Sequence, residues 1–131
     1  MYIADMKLPK EMVAASSIPF ILSILAQGDN YGYAIIRRIR ELSKGEIELS
    51  EGMLYPVLHW LVADGQIRSR WQKSKIGRER RYYSLEPKGK RALDEQRRQW
   101  GVVTATLGQL WENGHISLRR SQKGLPCEIC E

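Results

Sequence analysis

Residues 50–85 read SEGMLYPVLHWLVADGQIRSRWQKSKIGRERRYYSL, and this stretch carries the strongest structural signal in the chain. Ser50 is a good N-cap, and the apolar residues after it recur at the spacing of one helix face, as Leu54, Val57, Leu58 and Leu61 show. After Gly65, residues 67–73 and 80–85 are alternating and aromatic, and a polar turn with Gly77 separates them. The stretch therefore predicts a helix followed by an antiparallel hairpin.

Another helix is predicted near the N-terminus. Pro9 suits the first position of a helix, and apolar residues continue from there to Gly28, a natural C-terminal cap. Pro19 lacks a backbone N–H, so the pattern predicts a kink or a second helix start at that residue.

A second helix is expected between these two. Asp29 and Asn30 are both good N-caps, and helical apolar spacing follows them as far as residues 43–45. Residues 46–49 then alternate, which predicts a small strand.

After the hairpin, Pro87 begins a predicted long helix that extends to about Glu112. Its apolar residues repeat every seven positions, which is typical of a seam between two helices. The predicted contacts of this seam are Leu93, Trp100, Val103, Leu107 and Leu110. No other segment has a matching repeat, so we predict a second copy of the chain as partner. Packing of this helix on its own domain is the alternative.

These elements predict a mainly α fold with a small β-hairpin, a winged helix-turn-helix followed by one long C-terminal dimerisation helix. We expect residues 1–86 to form the DNA-binding domain and residues 87–113 the dimerisation helix. Residues 114–131 are polar and irregular, which indicates a flexible tail.

Positive charge is concentrated in the hairpin. Residues 68–81 hold seven basic side chains and one acid, Glu79, so this segment alone equals the net charge of +6. A solvated hairpin without a ligand would also carry such charge. The alternative that we favour is a wing that lies along the phosphates of DNA while the third helix enters the major groove.

The candidate DNA contacts lie on that helix and that hairpin. Tyr55 and His59 face away from the apolar stripe of the helix, where base edges are accessible. The full predicted set is Ser50, Met53, Tyr55, His59, Lys73, Lys75, Arg78 and Arg80. Tyr31 and Tyr33 are interpreted as packing residues.

Four separated motifs resemble the PadR family of bacterial transcriptional regulators. They are YGYAII at 31–36, LSEGMLYP at 49–56, GRERRYY at 77–83 and KG at 88–89. The resemblance implies a dimer, usually a repressor bound to a double-stranded operator, whose C-terminal helix crosses to the partner. With a single helix after the wing, the chain is similar to the short branch that includes the lactococcal multidrug-sensing repressor.

The resemblance also suggests a ligand site. In the short branch, a tryptophan at the position of Trp100 stacks planar drugs between the two chains, and Met12 and Ala15 could line the same space. A Trp100 that only fills the dimer seam is the alternative. Thr104 stands where the relative has an acid, which weakens the case for cationic ligands. Met53 replaces the threonine of many members with a side chain suited to a thymine methyl.

Catalysis is not expected. The chain has two histidines, His59 and His115, and neither a nucleophile–base spacing nor a glycine-rich phosphate loop is present. We therefore predict a non-enzyme with no cofactor and no metal. Cys127 and Cys130 supply two of the four ligands of a structural zinc site; shared zinc across a dimer, redox sensing and incidental thiols remain open interpretations.

A cytoplasmic location is expected as well. The most apolar stretch, residues 18–26, is about half the length of a membrane span, and no signal peptide is evident. Together these features predict a dimeric DNA-binding transcriptional regulator, a repressor released by a small planar or aromatic effector at the dimer interface. A regulator without such a ligand and a winged helix used for protein contacts are the alternatives.

Overall fold

The structure, a computed structural model, describes residues 7–113. Its elements are α1 (Lys10–Ala26), β1 (Asn30–Tyr31), α2 (Gly32–Leu42), α3 (Glu51–Ala63), β2 (Ile67–Lys73), β3 (Glu79–Leu85) and α4 (Pro87–Asn113). The chain divides into two compact units, residues 1–94 and 95–131. The first turns of α4 therefore belong to the same unit as the winged helix.

One apolar core holds this first unit together. The buried side chains come from α1, α2, α3, the start of β2, β3 and the start of α4, and Leu49 from the loop before α3 joins them. The members are Val13, Ile21, Leu22, Ile24, Leu25, Ile35, Ile36, Ile39, Leu49, Leu54, Leu58, Leu61, Ile67, Tyr83 and Leu93. Removing these side chains from water is the main force that fixes the three helices against the sheet.

The sheet has three antiparallel strands in the order β1-β3-β2. The hairpin of β2 and β3 confirms the predicted wing, whereas the predicted strand at residues 46–49 is wrong. That segment is irregular, with a bend at Glu46; it buries Leu49, but among residues 7–113 it pairs with no strand. The third strand is instead formed by Asn30 and Tyr31, which lie opposite Tyr83 and Tyr82 of β3.

This pairing also corrects the predicted start of α2. Because Asn30 and Tyr31 are drawn into the sheet, the helix begins at Gly32 with Tyr31 at the N-cap, and no side chain caps it. The Oδ1 atom of Asn30 accepts a hydrogen bond from the Tyr31 amide at 3.0 Å. α1, by contrast, runs through Pro19 as one helix, so the predicted second start is wrong.

The first turns of α4 dock closely on the corner between α3 and β2. Gly89 is buried there, and a β-carbon at this position would overlap the carbonyl oxygen of Gln66. The same carbonyl accepts a hydrogen bond from the Glu86 amide at 2.9 Å. Leu93, one helical turn later, is only 7% exposed and belongs to the core. Its predicted place in the dimer seam is therefore corrected: it packs within its own chain.

The remainder of α4, residues 95–113, exposes apolar side chains. The accessible fraction lies between 37% and 61% at each of Val102, Val103, Leu107, Leu110 and Trp111. Three of these, Val103, Leu107 and Leu110, are predicted seam residues. Among residues 7–113, every helix is too short or too polar to span a bilayer.

The close approach at Gly89 predicts a sharp difference between two glycines of α4. Gly89→Ala should lower the free energy of unfolding by about 1–3 kcal/mol, because the new methyl group meets backbone rather than a movable side chain. Urea unfolding monitored by circular dichroism measures this change.

Gly101→Ala is the matched control, since nothing lies within 4 Å of the position that its β-carbon would take. There the higher helix propensity of alanine should leave stability equal or raise it by up to about 1 kcal/mol. Equal stability of the two variants would contradict the close approach at Gly89.

Candidate nucleic-acid interface

α3 presents one face to the core and the other to solvent. Ser50 caps the helix as predicted, its Oγ accepting a hydrogen bond from the Met53 amide at 3.2 Å. Leu54, Leu58 and Leu61 are completely buried. Because a helix turns once in 3.6 residues, their burial forces the intervening side chains outward.

Of the four residues predicted on this helix to contact DNA, the structure exposes three. Ser50 and His59 are exposed, and Tyr55 is 36% accessible. Met53 is half-buried and packs against the core. The accessible surface of α3 is therefore wider than the predicted contacts: Tyr55 and His59 share it with Glu51, Gly52, Pro56 and Trp60, and Trp60 is 53% exposed.

Tyr55 lies against the start of α2. A β-carbon on Gly32 would come within 2.7 Å of Cζ of Tyr55, so the ring occupies space that only a glycine leaves free. Partial burial raises the pKa of the Tyr55 hydroxyl, and the nearby charge of Glu51 adds to this effect. Tyr55 thus joins α3 to α2 while its outer edge stays accessible.

The tip of the wing carries free cationic side chains. The amide of Ser74 donates to the carbonyl of Arg78 at 2.7 Å, and Gly77 takes the left-handed backbone (φ +86°) that the turn needs. Lys73, Lys75 and Arg78 are exposed. Within residues 7–113, no carboxylate lies at ion-pair distance from these three side chains, which leaves their charge available.

Arg80, the fourth predicted wing contact, lies on β3 opposite Gln72, in the second residue pair from the tip of the wing. Its guanidinium carbon is 4.3 Å from the ring centroid of Tyr31, in cation–π contact. Tyr31 in turn meets Tyr82 edge to face, with ring centroids 5.4 Å apart. Because Tyr31 directly precedes Gly32, this contact links the outer part of β3 to the residue that supports Tyr55.

Two other arginines of the basic segment are already engaged within the chain. Arg68 pairs with Glu86 at 3.3 Å, and Arg70 pairs with Asp29 at 3.0 Å. Sequence reasoning counted both among the free charges of the wing, since their partners lie far away along the chain. The available charge of the wing is therefore smaller and closer to its tip than composition indicates.

α2 contributes a basic residue that the sequence analysis missed. Arg37 lies over the ring of Tyr33 at 5.3 Å, and a hydrogen bond to Tyr31 raises the pKa of its guanidinium. Tyr33 is 50% exposed, so its interpretation as a packing residue is wrong. The (i, i+4) spacing of Tyr33 and Arg37 was the signal available in the sequence. Tyr31 is half-buried and does pack, against Tyr82.

The residues predicted to bind a ligand are divided between the two units. In the first unit, Met12 and Ala15 are exposed on α1. In the second, Trp100 is half-buried, and the exposed Thr104 donates its hydroxyl to the Trp100 carbonyl at 2.9 Å. Among residues 7–113, no group of three His, Cys, Asp or Glu side chains could hold a metal. Cys127 and Cys130 lie outside the described residues.

The fold and this surface define a winged helix-turn-helix protein. Residues 21–95 match the model of the Transcriptional regulator PadR-like family. The chain therefore belongs to the PadR-like family of transcriptional regulators.

Individual relatives agree with this assignment. The transcriptional regulator Rv3488 of Mycobacterium tuberculosis is 48% identical over 59 residues, which are 45% of this chain. The match spans 54% of Rv3488, about half of its length. A PadR-like transcriptional regulator from Bacillus cereus has a similar solved structure, with a TM-score of 0.68 and 29% identity over 77% of this chain and 96% of its own. A regulator from Clostridium thermocellum is similar in fold, with a TM-score of 0.70, 24% identity, and coverage of 78% of this chain and 96% of its own.

The packing of Tyr55 against Gly32 leads to a prediction about ionisation. Gly32→Ala should push the Tyr55 ring toward water, where its ionised form is better solvated, so the pKa of Tyr55 should fall toward its ordinary value. NMR titration with labelled tyrosine measures this pKa. Gly101→Ala, where nothing lies within 4 Å of the new β-carbon, should leave the pKa unchanged, and an unchanged value in Gly32→Ala would contradict the packing of Tyr55 on Gly32.

Proposed function

We propose that this protein is a dimeric transcriptional regulator that binds double-stranded DNA through α3 and the wing. The observation that carries this proposal is that two adjacent residues, Tyr31 and Gly32, contact the wing and α3 respectively. Gly32 supports Tyr55 of α3, and Tyr31 holds Arg80 of the wing. A base-reading helix and a phosphate-binding wing are thereby fixed to the same two residues.

The wing supports the binding of a polyanion. Lys73, Lys75 and Arg78 are exposed at its tip. Cations of this kind bind phosphates and release counterions, a sequence-independent source of affinity. This charge favours DNA over the alternative of a winged helix used only for protein contacts, because such an interface would be depleted of lysine.

α3 supports the reading of bases. It contains neither lysine nor arginine between Glu51 and Ala63, so phosphate attraction cannot be its main contribution. His59 offers an imidazole that can donate or accept hydrogen bonds at base edges, and Tyr55 offers the accessible edge of its ring. Ser50 at the N-cap could meet a phosphate at the helix start. Met53 is placed to add an apolar contact only at its accessible edge.

The dimer is proposed from α4. Its segment after residue 94 exposes Val103, Leu107 and Leu110, and two such helices could bury these side chains against each other. In this proposal residues 1–86 bind DNA in the cytoplasm, and residues 87–113 supply the dimerisation helix, which meets the partner through its segment after residue 94; the predicted tail, residues 114–131, lies outside the described residues. Two DNA-binding units related by a twofold axis would recognise two half-sites. Repression follows when the occupied operator overlaps a promoter.

The DNA-binding proposal is tested with the Arg78→Ala/Arg80→Ala double variant. Gel shifts on DNA from upstream of the protein's own gene, over a series of salt concentrations, give the affinity and its salt slope. The variant should bind more weakly, and the slope should fall by roughly 0.9 for each phosphate that the protein no longer neutralises.

Lys90→Ala/Arg91→Ala is the control, since it removes the same charge from an exposed part of α4 outside the proposed interface. It should retain most of the affinity. Wild-type protein that binds this DNA no better than random DNA, or shows no salt dependence, would contradict the proposal and favour the protein-contact alternative.

A ligand site at Trp100 is the second candidate function. The observation that favours it is a large aromatic side chain left partly accessible on a helix with an apolar surface. Planar aromatic compounds stack well on such rings. In the proposed dimer, Trp100 and Thr104 would face the ligand with Met12 and Ala15 from the partner, and ligand binding would alter the spacing of the DNA-binding units.

Fluorescence quenching tests this second function. Coumarin, a neutral planar dye, and the cation ethidium are titrated into DNA-free protein. Quenching should be saturable and should be lost in Trp100→Ala, because the stacked ring is gone. Trp111→Ala removes another accessible tryptophan of α4 and should retain the saturable quenching. Unchanged quenching in Trp100→Ala would contradict the ligand site.

A further inference from the structure

The guanidinium group of Arg70 contacts four other side chains of the protein. Its Nη1 atom pairs with Asp29 Oδ2 at 3.0 Å and donates to Ser84 Oγ at 2.8 Å. Its Nε and Nη2 atoms donate to Gln72 Oε1 at 3.2 and 3.0 Å. The guanidinium also lies 5.8 Å from the ring centroid of Tyr82. Each nitrogen of the guanidinium is therefore engaged inside the protein.

These contacts span the whole sheet. Arg70 is on β2, the outer strand, and Asp29 directly precedes β1, the strand on the opposite side of β3. Arg70 lies opposite Tyr82, which lies opposite Tyr31, so the three side chains share one face. The guanidinium thus reaches across β3 and connects the outer strand of the wing to the loop that leads into α2.

At the β1 edge of the sheet, few other contacts restrain the angle between the wing and the helices. β1 contributes only Asn30 and Tyr31 to the sheet. A strand of two residues is shorter than the usual length of about 3–10, so its ladder to β3 has only two residue pairs to oppose twisting. The cation–π contact of Arg80 with Tyr31 adds one restraint, and the Asp29–Arg70 pair adds a second that acts on the other wing strand.

We propose that Asp29 and Arg70 are positioning residues that hold the wing at the angle required for DNA binding, so that an acidic side chain strengthens binding to a polyanion. This inference rests on the proposed function. Both side chains are partly accessible, at 46% for Asp29 and 42% for Arg70, and exposed pairs of this kind contribute little to folding stability. Their role is orientation of the wing, and variants at both positions are expected to fold.

The proposal predicts a change in DNA affinity opposite to the change expected from charge alone. By charge alone, removal of an acid from a DNA-binding surface strengthens binding, because phosphate repulsion falls. Asp29→Ala is expected to weaken binding instead, by roughly three- to tenfold, since the wing loses its restraint. The measurement is a gel shift at low salt with duplex DNA from upstream of the protein's own gene, together with urea unfolding of each variant.

Glu79→Ala is the matched control. Glu79 is an exposed acid at the start of β3, opposite Lys73, and among residues 7–113 no cation lies at ion-pair distance from it. Its removal has only the charge effect, so Glu79→Ala should bind the same DNA more tightly than wild type.

A double-mutant cycle identifies Arg70 as the partner. In an Arg70→Ala background the restraint is already absent, and Asp29→Ala should then leave binding unchanged or tighten it as the control does. General destabilisation would not make the effect of Asp29→Ala on DNA binding depend on Arg70 in this way. Unfolding midpoints close to that of wild type would also argue against destabilisation.

Three outcomes would overturn the inference: tighter binding by Asp29→Ala, unchanged binding, or an equal loss of binding with and without Arg70. Each of them leaves the DNA-binding proposal intact, because wild-type protein still binds. Failure of wild-type protein to bind the duplex would contradict the proposed function itself.

Discussion

The complete burial of Leu54, Leu58 and Leu61 is the constraint on which the other features of the structure depend. These three side chains fix the rotation of α3 about its own axis, because they must face the core formed by α1 and α2. Rotation of the helix by a single residue would move each of them by about 100° and expose apolar surface. The direction in which Tyr55 and His59 point is therefore a consequence of core packing.

The wing is attached to this core by a different kind of interaction. Ile67 and Tyr83 are buried and anchor the start of β2 and the end of β3, close to α3 and α4. Toward the tip, both strands are exposed, and interactions across the outer face replace burial: Arg80 on Tyr31, and Arg70 on Asp29. Such interactions are individually weak but directional. The wing is thus stabilised by apolar packing at one end and oriented by guanidinium groups farther out.

The sequence predicted the features that depend on local periodicity. The cap at Ser50, the apolar stripe of α3 and the hairpin follow from spacing alone and were confirmed. β1 was missed, because a strand of two residues has no period of its own and exists only through its pairing with β3. Residues 46–49 do alternate, but alternation shows only that Leu49 is buried, and the segment has no neighbouring strand within residues 7–113.

Two further incorrect predictions have the same physical origin. The heptad pattern placed Leu93 with Trp100 and Leu107, since a repeat of seven cannot tell whether the facing surface belongs to the same chain or to another. Composition counted Arg68 and Arg70 as free charges, since their acidic partners are brought near only by the fold. Sequence patterns therefore identify which faces of a helix or strand are apolar or charged, whereas tertiary structure decides which residues each face contacts.

These pairings change how the charge of the wing should be understood. A uniformly basic hairpin would attract any polyanion from a distance, with little control of its orientation. Here Arg68 and Arg70 are paired with acids and Arg80 is stacked on Tyr31, whereas Lys73, Lys75 and Arg78 at the tip have neither kind of partner among residues 7–113. In the proposed complex, attraction would act at the far end of a hairpin whose base is fixed to the start of α2, so that each phosphate bound at the tip would also constrain where α3 enters the groove. Affinity and register would then be coupled, because phosphates at the tip would be reached together with bases at Tyr55 and His59.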